Sequence, residues 1–250
     1  MGNLRENLFK FYYRVETLLT PGLRNAQFLY RETLEARLAP ETRWLDIGCG
    51  RRLFPDWMPS GEEAQIALRS QLKTAFGIDP DFSSLRDNLF VQNRVAGDCG
   101  SLPFADSSFD LLTANMVVEH VANPHALLLE ARRVLKPNGI FLFHTPNTLS
   151  YATAFARLVP EGFKARLIAF FEGRKEEDVF PALYRMNTPA KVRDLSASAA
   201  FRVVDLMRVE SSAQAVMLGP LVIFELLWIR LLRFSAFRDL RSNLIVVLQK

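Results

Sequence analysis

Apolar residues recur at helical spacing through the first forty positions, where Leu8, Phe11, Tyr12, Val15, Leu18 and Leu19 define a stripe. Pro21-Gly22 breaks this segment, and a second helix is predicted over 27–38. From residue 43 the pattern changes. Short apolar runs at 43–47, 74–78, 94–97, 109–114 and 140–143 alternate with mostly helical stretches. Asn123-Pro124, a capping residue followed by proline, opens the best-marked helix, which runs through Leu127, Leu128, Ala131, Val134 and Leu135. Lys136-Pro137-Asn138-Gly139 is predicted to stop it and turn the chain into the fifth strand. Thr188-Pro189 marks another helix start, and 201–206 and 244–248 read as two further strands. Between those strands, 216–234 is strongly apolar and carries charges only at Glu225, Arg230 and Arg233.

Strand–helix alternation of this kind predicts an α/β fold: a seven-stranded, mostly parallel sheet with helices on both faces. Residues 1–40 are expected to form an N-terminal helical segment packed on the core. Residues 41–250 form the main domain, with insertions at about 151–187 and 212–240, the second a C-terminal helical insertion. The 250 residues suit one large domain, and 49% hydrophobic against 23% charged residues is not the composition of a disordered chain. A net charge of +4 with no basic block argues against a nucleic-acid partner. Cys49 and Cys99 form no CxxC pair, so neither a disulfide framework nor a metal site is expected. With an N-terminus that lacks a signal-peptide core, this predicts a cytoplasmic protein.

Ligands of open α/β sheets bind beyond the carboxyl ends of the strands. At those ends this sequence places Asp46, Gly48, Cys49 and Gly50, then Asp79, Asp98, Asn115 and His144. Glycine lets the backbone turn tightly beside a ligand. A carboxylate at the second strand end can accept from both hydroxyls of a ribose. A carboxylate at the third could accept from an adenine amine. Each alone could be a helix cap, but three in order form a nucleoside site. A dinucleotide loop requires a third glycine, which Gly48-Cys49-Gly50-Arg51-Arg52-Leu53 lacks. Asp46 would repel a pyrophosphate and suits a cofactor that carries an ammonium group.

These residues resemble class I S-adenosylmethionine-dependent methyltransferases, in the branch with the ubiquinone and menaquinone C-methyltransferases. Trp44-Leu45-Asp46-Ile47-Gly48-Cys49-Gly50 is similar to the first motif of that family and Gly77-Ile78-Asp79-Pro80 to the second. Asp98 with 102–110, the run Asn115-Met116-Val117-Val118-Glu119-His120-Val121, and Arg133-Val134-Leu135-Lys136-Pro137-Asn138-Gly139 complete the likeness, which covers 44–147. The resemblance implies a Rossmann-like fold and S-adenosyl-L-methionine as cofactor. It implies that Asp46 and the 48–50 backbone meet the methionine part, Asp79 the ribose, Asp98 and the Cys99 amide the adenine, and Asn115 the sulfonium side. Arg51 and the insertion-like 52–61 depart from the family pattern, and Arg51 could pair with the methionine carboxylate.

Methyl transfer needs positioning and, for some acceptors, a base. His144 is read either as that base or as a structural histidine. His120 is a second candidate, with a structural role near the cofactor favoured, and His125 is expected at the surface. Tyr184 and Arg185 are candidate acceptor contacts, or part of a packed loop. The acceptor is a small or lipid-like molecule. The apolar stretch 216–234 is expected to be buried on the sheet or against a second copy, with peripheral membrane contact as the other reading. Two alternatives stay open: an NAD-dependent oxidoreductase, and a non-catalytic cofactor- or partner-binding protein of the same fold.

Overall fold

The computed structural model describes residues 2–55, 58, 61–158, 181–213 and 222–250, with side chains at all of these except 2–10, 61, 62, 156 and 158. Trp57 and Pro59 of the expected insertion, 159–180 of the acceptor-side insertion, and 216–221 of the apolar stretch lie outside the described residues. The chain divides into two compact units. One comprises 30–146, 182–207 and 244–250, and the other 1–29, 147–181 and 208–243.

The first unit is built on a seven-stranded sheet. Its strands are β1 (Arg43–Ile47), β2 (Thr74–Asp79), β3 (Asn93–Ala96), β4 (Phe109–Asn115), β5 (Leu135–Pro146), β6 (Arg202–Val209) and β7 (Asn243–Gln249), in the order β3-β2-β1-β4-β5-β7-β6. β1 pairs in parallel with β2 and β4, β2 with β3, and β4 with β5. Lys250 N donates to Gly139 O at one end of β7 and Asn147 N to Ser242 O at the other, so β7 runs antiparallel to β5. The helices are α1 (Gly2–Leu19), α2 (Ala26–Glu35), α3 (Gly61–Gln71), α4 (Phe82–Asp87), α5 (Pro124–Val134), α6 (Tyr151–Leu158), α7 (Pro189–Ser198) and α8 (Val222–Leu232).

Local chemistry explains the best-defined elements. The Asn123 side chain accepts from Ala126 N and Pro124 occupies the first turn of α5. Leu127, Leu128, Ala131 and Val134 form its buried stripe. Thr188 caps α7 in the same way, accepting from Lys191 N. β1 and β7 are buried along nearly their whole length, as central strands of a covered sheet must be.

Three elements differ from expectation. β5 is counted from Leu135, and Lys136–Gly139 bulges out of its pairing: Leu135 pairs with Phe109 and Ile140 with Leu111, so four residues stand opposite Asp110 alone. Asn138 takes φ 63° there, and Lys136 Nζ holds both Asp110 oxygens at 2.8 Å. β3 spans 93–96, so Asp98 lies two residues past its end. The apolar stretch forms α8 from Val222, and it is not buried all round. Val222, Leu226 and Ile229 pack with Tyr12, Val15 and Leu19 of α1, while Ile223, Phe224, Leu227 and Trp228 face solvent.

In the second unit, Arg241 ties down the end of α8 by donating to Leu232 O, Arg233 O and Arg208 O. Tyr151 donates to Glu225 across 2.7 Å. Among the described residues, no helix is long and apolar enough to cross a membrane.

Candidate cofactor site

The order β3-β2-β1-β4 reverses direction between β1 and β4, and this opens a crevice at their carboxyl ends. The glycine loop leaves β1 there. Gly48 and Gly50 take φ values of 64° and 47°, the left-handed region that glycine enters without a Cβ penalty. A Cβ on Gly48 would lie 2.4 Å from Val117 Cγ2, whereas one on Gly50 would meet nothing within 4 Å. Gly48 therefore permits close packing on Val117, and the space beside Gly50 is open.

Two side chains fix the loop. Asp79 Oδ2 accepts from Gly50 N at 2.9 Å, and its Oδ1 from Asp81 N at 2.9 Å. Burial raises the Asp79 pKa above the usual carboxylate range. Asn88 donates to Gly50 O and Cys49 O, and its Oδ1 accepts from Phe90 N and Val91 N. Asn88 is wholly buried. Nothing in its sequence surroundings singled it out.

Beneath the loop lies a polar chain within the core. The β1–β4 register sets Asp46 opposite Thr113. Trp44 Nε1 donates to Thr113 Oγ1 at 2.7 Å, and Thr113 Oγ1 donates to Asp46 Oδ1 at 2.6 Å. Burial pushes the Asp46 carboxyl up to about 7, against the lowering effect of Thr113. The Tyr30 ring is fully buried, and its hydroxyl makes no hydrogen bond of good geometry with any described residue. Burial, and then the Asp46 charge, raise its pKa well above that of a free phenol, so it stays protonated.

The β4–β5 register pairs Asn115 with His144. His144 Nδ1 is 2.9 Å from Asn115 Oδ1, and Asn115 Nδ2 donates to Leu53 O at 3.4 Å. His144 is buried beside Tyr30, with ring centroids 5.8 Å apart. The described part of the expected insertion is anchored by Gln65, whose Oε1 accepts from Leu53 N and Phe54 N, and by Arg31 over the Phe54 ring. Arg51 is half-buried at the end of the glycine loop.

Gly50 and Asp79 are thus bonded to each other, Gly48 N and Cys49 N both donate to Ile78 O, Asp46 is bonded to Thr113, and Asn115 and His144 pair across β4 and β5. Asp98 is exposed and bonds locally, accepting from Gly100 N at 2.7 Å. Burial raises both thiols, Cys99 to about 11 and Cys49 further, so neither is a thiolate at neutral pH. His120 is half-buried on the short 3-10 turn 118–120, 3.9 Å from Glu119. His125 is half-buried, not at the open surface, in the first turn of α5. The Glu119 backbone carbonyl accepts from Leu183 N and Tyr184 N. Its buried carboxylate accepts from Thr145 Oγ1, which in turn accepts from Asn187 Nδ2. This buried network holds Tyr184, at φ 53°, and the exposed Arg185 near the ends of β4 and β5.

Residues 23–180 match a protein family described as a methyltransferase domain. The chain is 28% identical over 116 residues to a ubiquinone biosynthesis O-methyltransferase of Pasteurella multocida, covering 41% of this chain and 46% of that protein. It is 34% identical over 110 residues to a malonyl-[acyl-carrier protein] O-methyltransferase of Erwinia pyrifoliae, covering 44% and 39%. The chain thus spans less than half the length of these curated relatives. The crystal structure of an S-adenosylmethionine-dependent methyltransferase from Mesorhizobium loti shares the fold, with a TM-score of 0.54, 16% identity, and 88% and 96% of the two chains covered. Neither an oxidoreductase nor a non-catalytic protein is favoured by these matches. The residues present also fit the donor. A buried carboxylate suits an ammonium, and the space at Gly50 is open. The chain belongs to the methyltransferase domain family, on a Rossmann-like fold for which S-adenosylmethionine is the methyl donor.

Proposed function

We propose that this protein transfers a methyl group from S-adenosylmethionine to a small or amphiphilic acceptor. The observation that carries this reading is the glycine loop tied to Asp79 at the β1–β4 crevice, with Asp46 buried near the end of β1 and bonded to Thr113, and with open space at Gly50. When bound, the cofactor supplies an electrophilic methyl carbon on a sulfonium. Asp46 holds its ammonium and the 48–50 backbone its methionine chain, with Arg51 at the carboxylate. Asp79 accepts from the ribose hydroxyls through its remaining lone pairs. Asp98 and the Cys99 amide hold the adenine.

Asn115 lines the sulfonium side and orients His144. Its Nδ2 donates to Leu53 O and its Oδ1 lies 2.9 Å from His144 Nδ1, an arrangement that suits the tautomer with the proton on Nδ1. Where the acceptor atom bears a proton, His144 would take it as general base. His120 serves beside Glu119 in the structure of the site. Tyr184 and Arg185 contact the acceptor. We assign 1–40 to a helical segment and 41–250 to the methyltransferase domain with its two insertions. We place the protein in the cytoplasm, in keeping with its two free cysteines. Residues 216–234 supply a peripheral membrane or homodimer contact.

The test is transfer of radiolabelled methyl from S-adenosylmethionine into fractionated small-molecule and lipid extracts. Label appearing in one fraction with the wild type and not with Asp79→Ala supports the reading. No label in any fraction refutes it.

A further inference from the structure

The geometry points to the solvent-facing side of α8 as a docking surface for an anionic lipid bilayer. This develops the peripheral contact named above, and it stands or falls without reference to methyl transfer.

α8 has two apolar faces. Val222, Leu226 and Ile229 are buried among Tyr12, Val15 and Leu19 of α1. Ile223, Phe224, Leu227 and Trp228 lie on the other side, within an arc of about 140° at helical spacing, and are exposed by 39% to 72%. Phe234, just past the helix end, is 63% exposed. Helices of globular proteins normally turn charged residues outward, and an apolar patch of this kind marks a contact surface. Phenylalanine and tryptophan are the side chains that settle at the boundary of headgroups and acyl chains.

Charge decides between occupants. The described residues of the unit that carries α8 include 10 Lys and Arg against 5 Asp and Glu. Arg230 and Arg233 are exposed beside the apolar face. Among the described residues they donate to the neutral carbonyls of Leu19 and Pro21, with no carboxylate paired to either. An anionic headgroup layer complements that arrangement. A two-fold dimer through the same face would bring two copies of this cationic unit together, which like-charge repulsion opposes. Among the described residues no helix is both long and apolar enough to cross the bilayer, and the contact we propose is a peripheral one.

The probes are phosphatidylcholine vesicles with and without 30% phosphatidylglycerol, read by co-sedimentation and by quenching of tryptophan with brominated lipid. A Trp57→Phe background leaves the fully buried Trp44 and the exposed Trp228. Binding should require phosphatidylglycerol and fall at high salt. Arg230→Gln with Arg233→Gln should weaken it about 10- to 30-fold at roughly fivefold per charge. Quenching should vanish in Trp228→Phe. Phe224→Ser with Leu227→Ser should lower binding at least tenfold at an unchanged melting temperature, since both side chains are exposed. Absence of binding to anionic vesicles would overturn the proposal, as would binding indifferent to the serine pair. A lipid-free dimer dissolved by that pair would overturn it in favour of a second copy.

Discussion

Asp46→Asn should separate fold stability from cofactor affinity, and the sign follows from burial. In the folded protein the Asp46 carboxyl sits at about 7, against 3.8 when unfolded. Between those values the native state keeps a proton that the unfolded chain releases, so this residue's contribution to stability falls as pH rises through that window. Over three units the loss is at most about 4 kcal/mol, or a melting-temperature shift of up to about 10 °C for a chain of this size. Asparagine keeps an oxygen for Thr113 and removes the charge. Without ligand, Asp46→Asn should therefore melt above the wild type at pH 8, by less at pH 5, and converge with it only below about pH 4. A cationic ligand reverses the balance by favouring the ionised carboxylate. Wild-type affinity for S-adenosylmethionine should rise from pH 5.5 to 7, and binding at pH 6.5 should release about three-quarters of a proton. Calorimetry in two buffers of different ionisation enthalpy reads that number directly. Asp46→Asn should release none and bind at least about tenfold more weakly, the effect of one lost charged contact. Equal wild-type and mutant affinities, with no proton released, would refute an ammonium at Asp46.

Four further perturbations test the rest of the site. Asn88→Ala strips two amides and two carbonyls of their buried partner, so it should destabilise by about 1–3 kcal/mol per unsatisfied group and loosen the glycine loop, seen as a lower melting temperature and weaker ligand binding. Gly48→Ala should destabilise through both its φ of 64° and the 2.4 Å approach to Val117, with partial rescue by Val117→Ala in a double-mutant cycle. Gly50→Ala, which meets open space, should cost only about 1–2 kcal/mol of backbone strain. His144→Ala should lower turnover by about 10²–10⁴-fold on a protic acceptor with cofactor affinity nearly intact, and a fully active variant would leave proximity as the mechanism.

What was legible in the sequence was local. The capped start of α5, the apolar run of β1 and the polar residues at strand ends all depend on neighbours a few positions away. What was not legible depends on which strands lie side by side. The Asp46–Thr113 and Asn115–His144 pairs are set by sheet register, across 67 and 29 residues of chain. Thr113, polar in an otherwise apolar run, was the one visible hint. Tyr30 and Asn88 act over similar distances and carry no local mark. Lys136-Pro137-Asn138-Gly139 does interrupt the regular run, but as a bulge within β5 whose pairing with β4 resumes at Ile140, a register that only the neighbouring strand reveals. The missing Cβ of Gly48 also makes room for Val117, a neighbour that only the fold brings to it. The stretch containing α8 was expected to be buried on hydrophobicity alone. Hydrophobicity does not say whether the neighbour is protein, a second copy or lipid.

The most direct measurement is calorimetric titration of S-adenosylhomocysteine and of NAD into the wild type and Asp79→Asn. Losing the carboxylate removes a charged acceptor for the ribose and weakens the tie to Gly50 N, at about 1.5–3 kcal/mol. The wild type should bind one equivalent of S-adenosylhomocysteine saturably and no NAD, and Asp79→Asn should bind about 10- to 150-fold more weakly while melting as a folded protein. Saturable NAD binding, or wild-type affinity for S-adenosylhomocysteine in folded Asp79→Asn, would contradict the assignment of this crevice to the methyl donor.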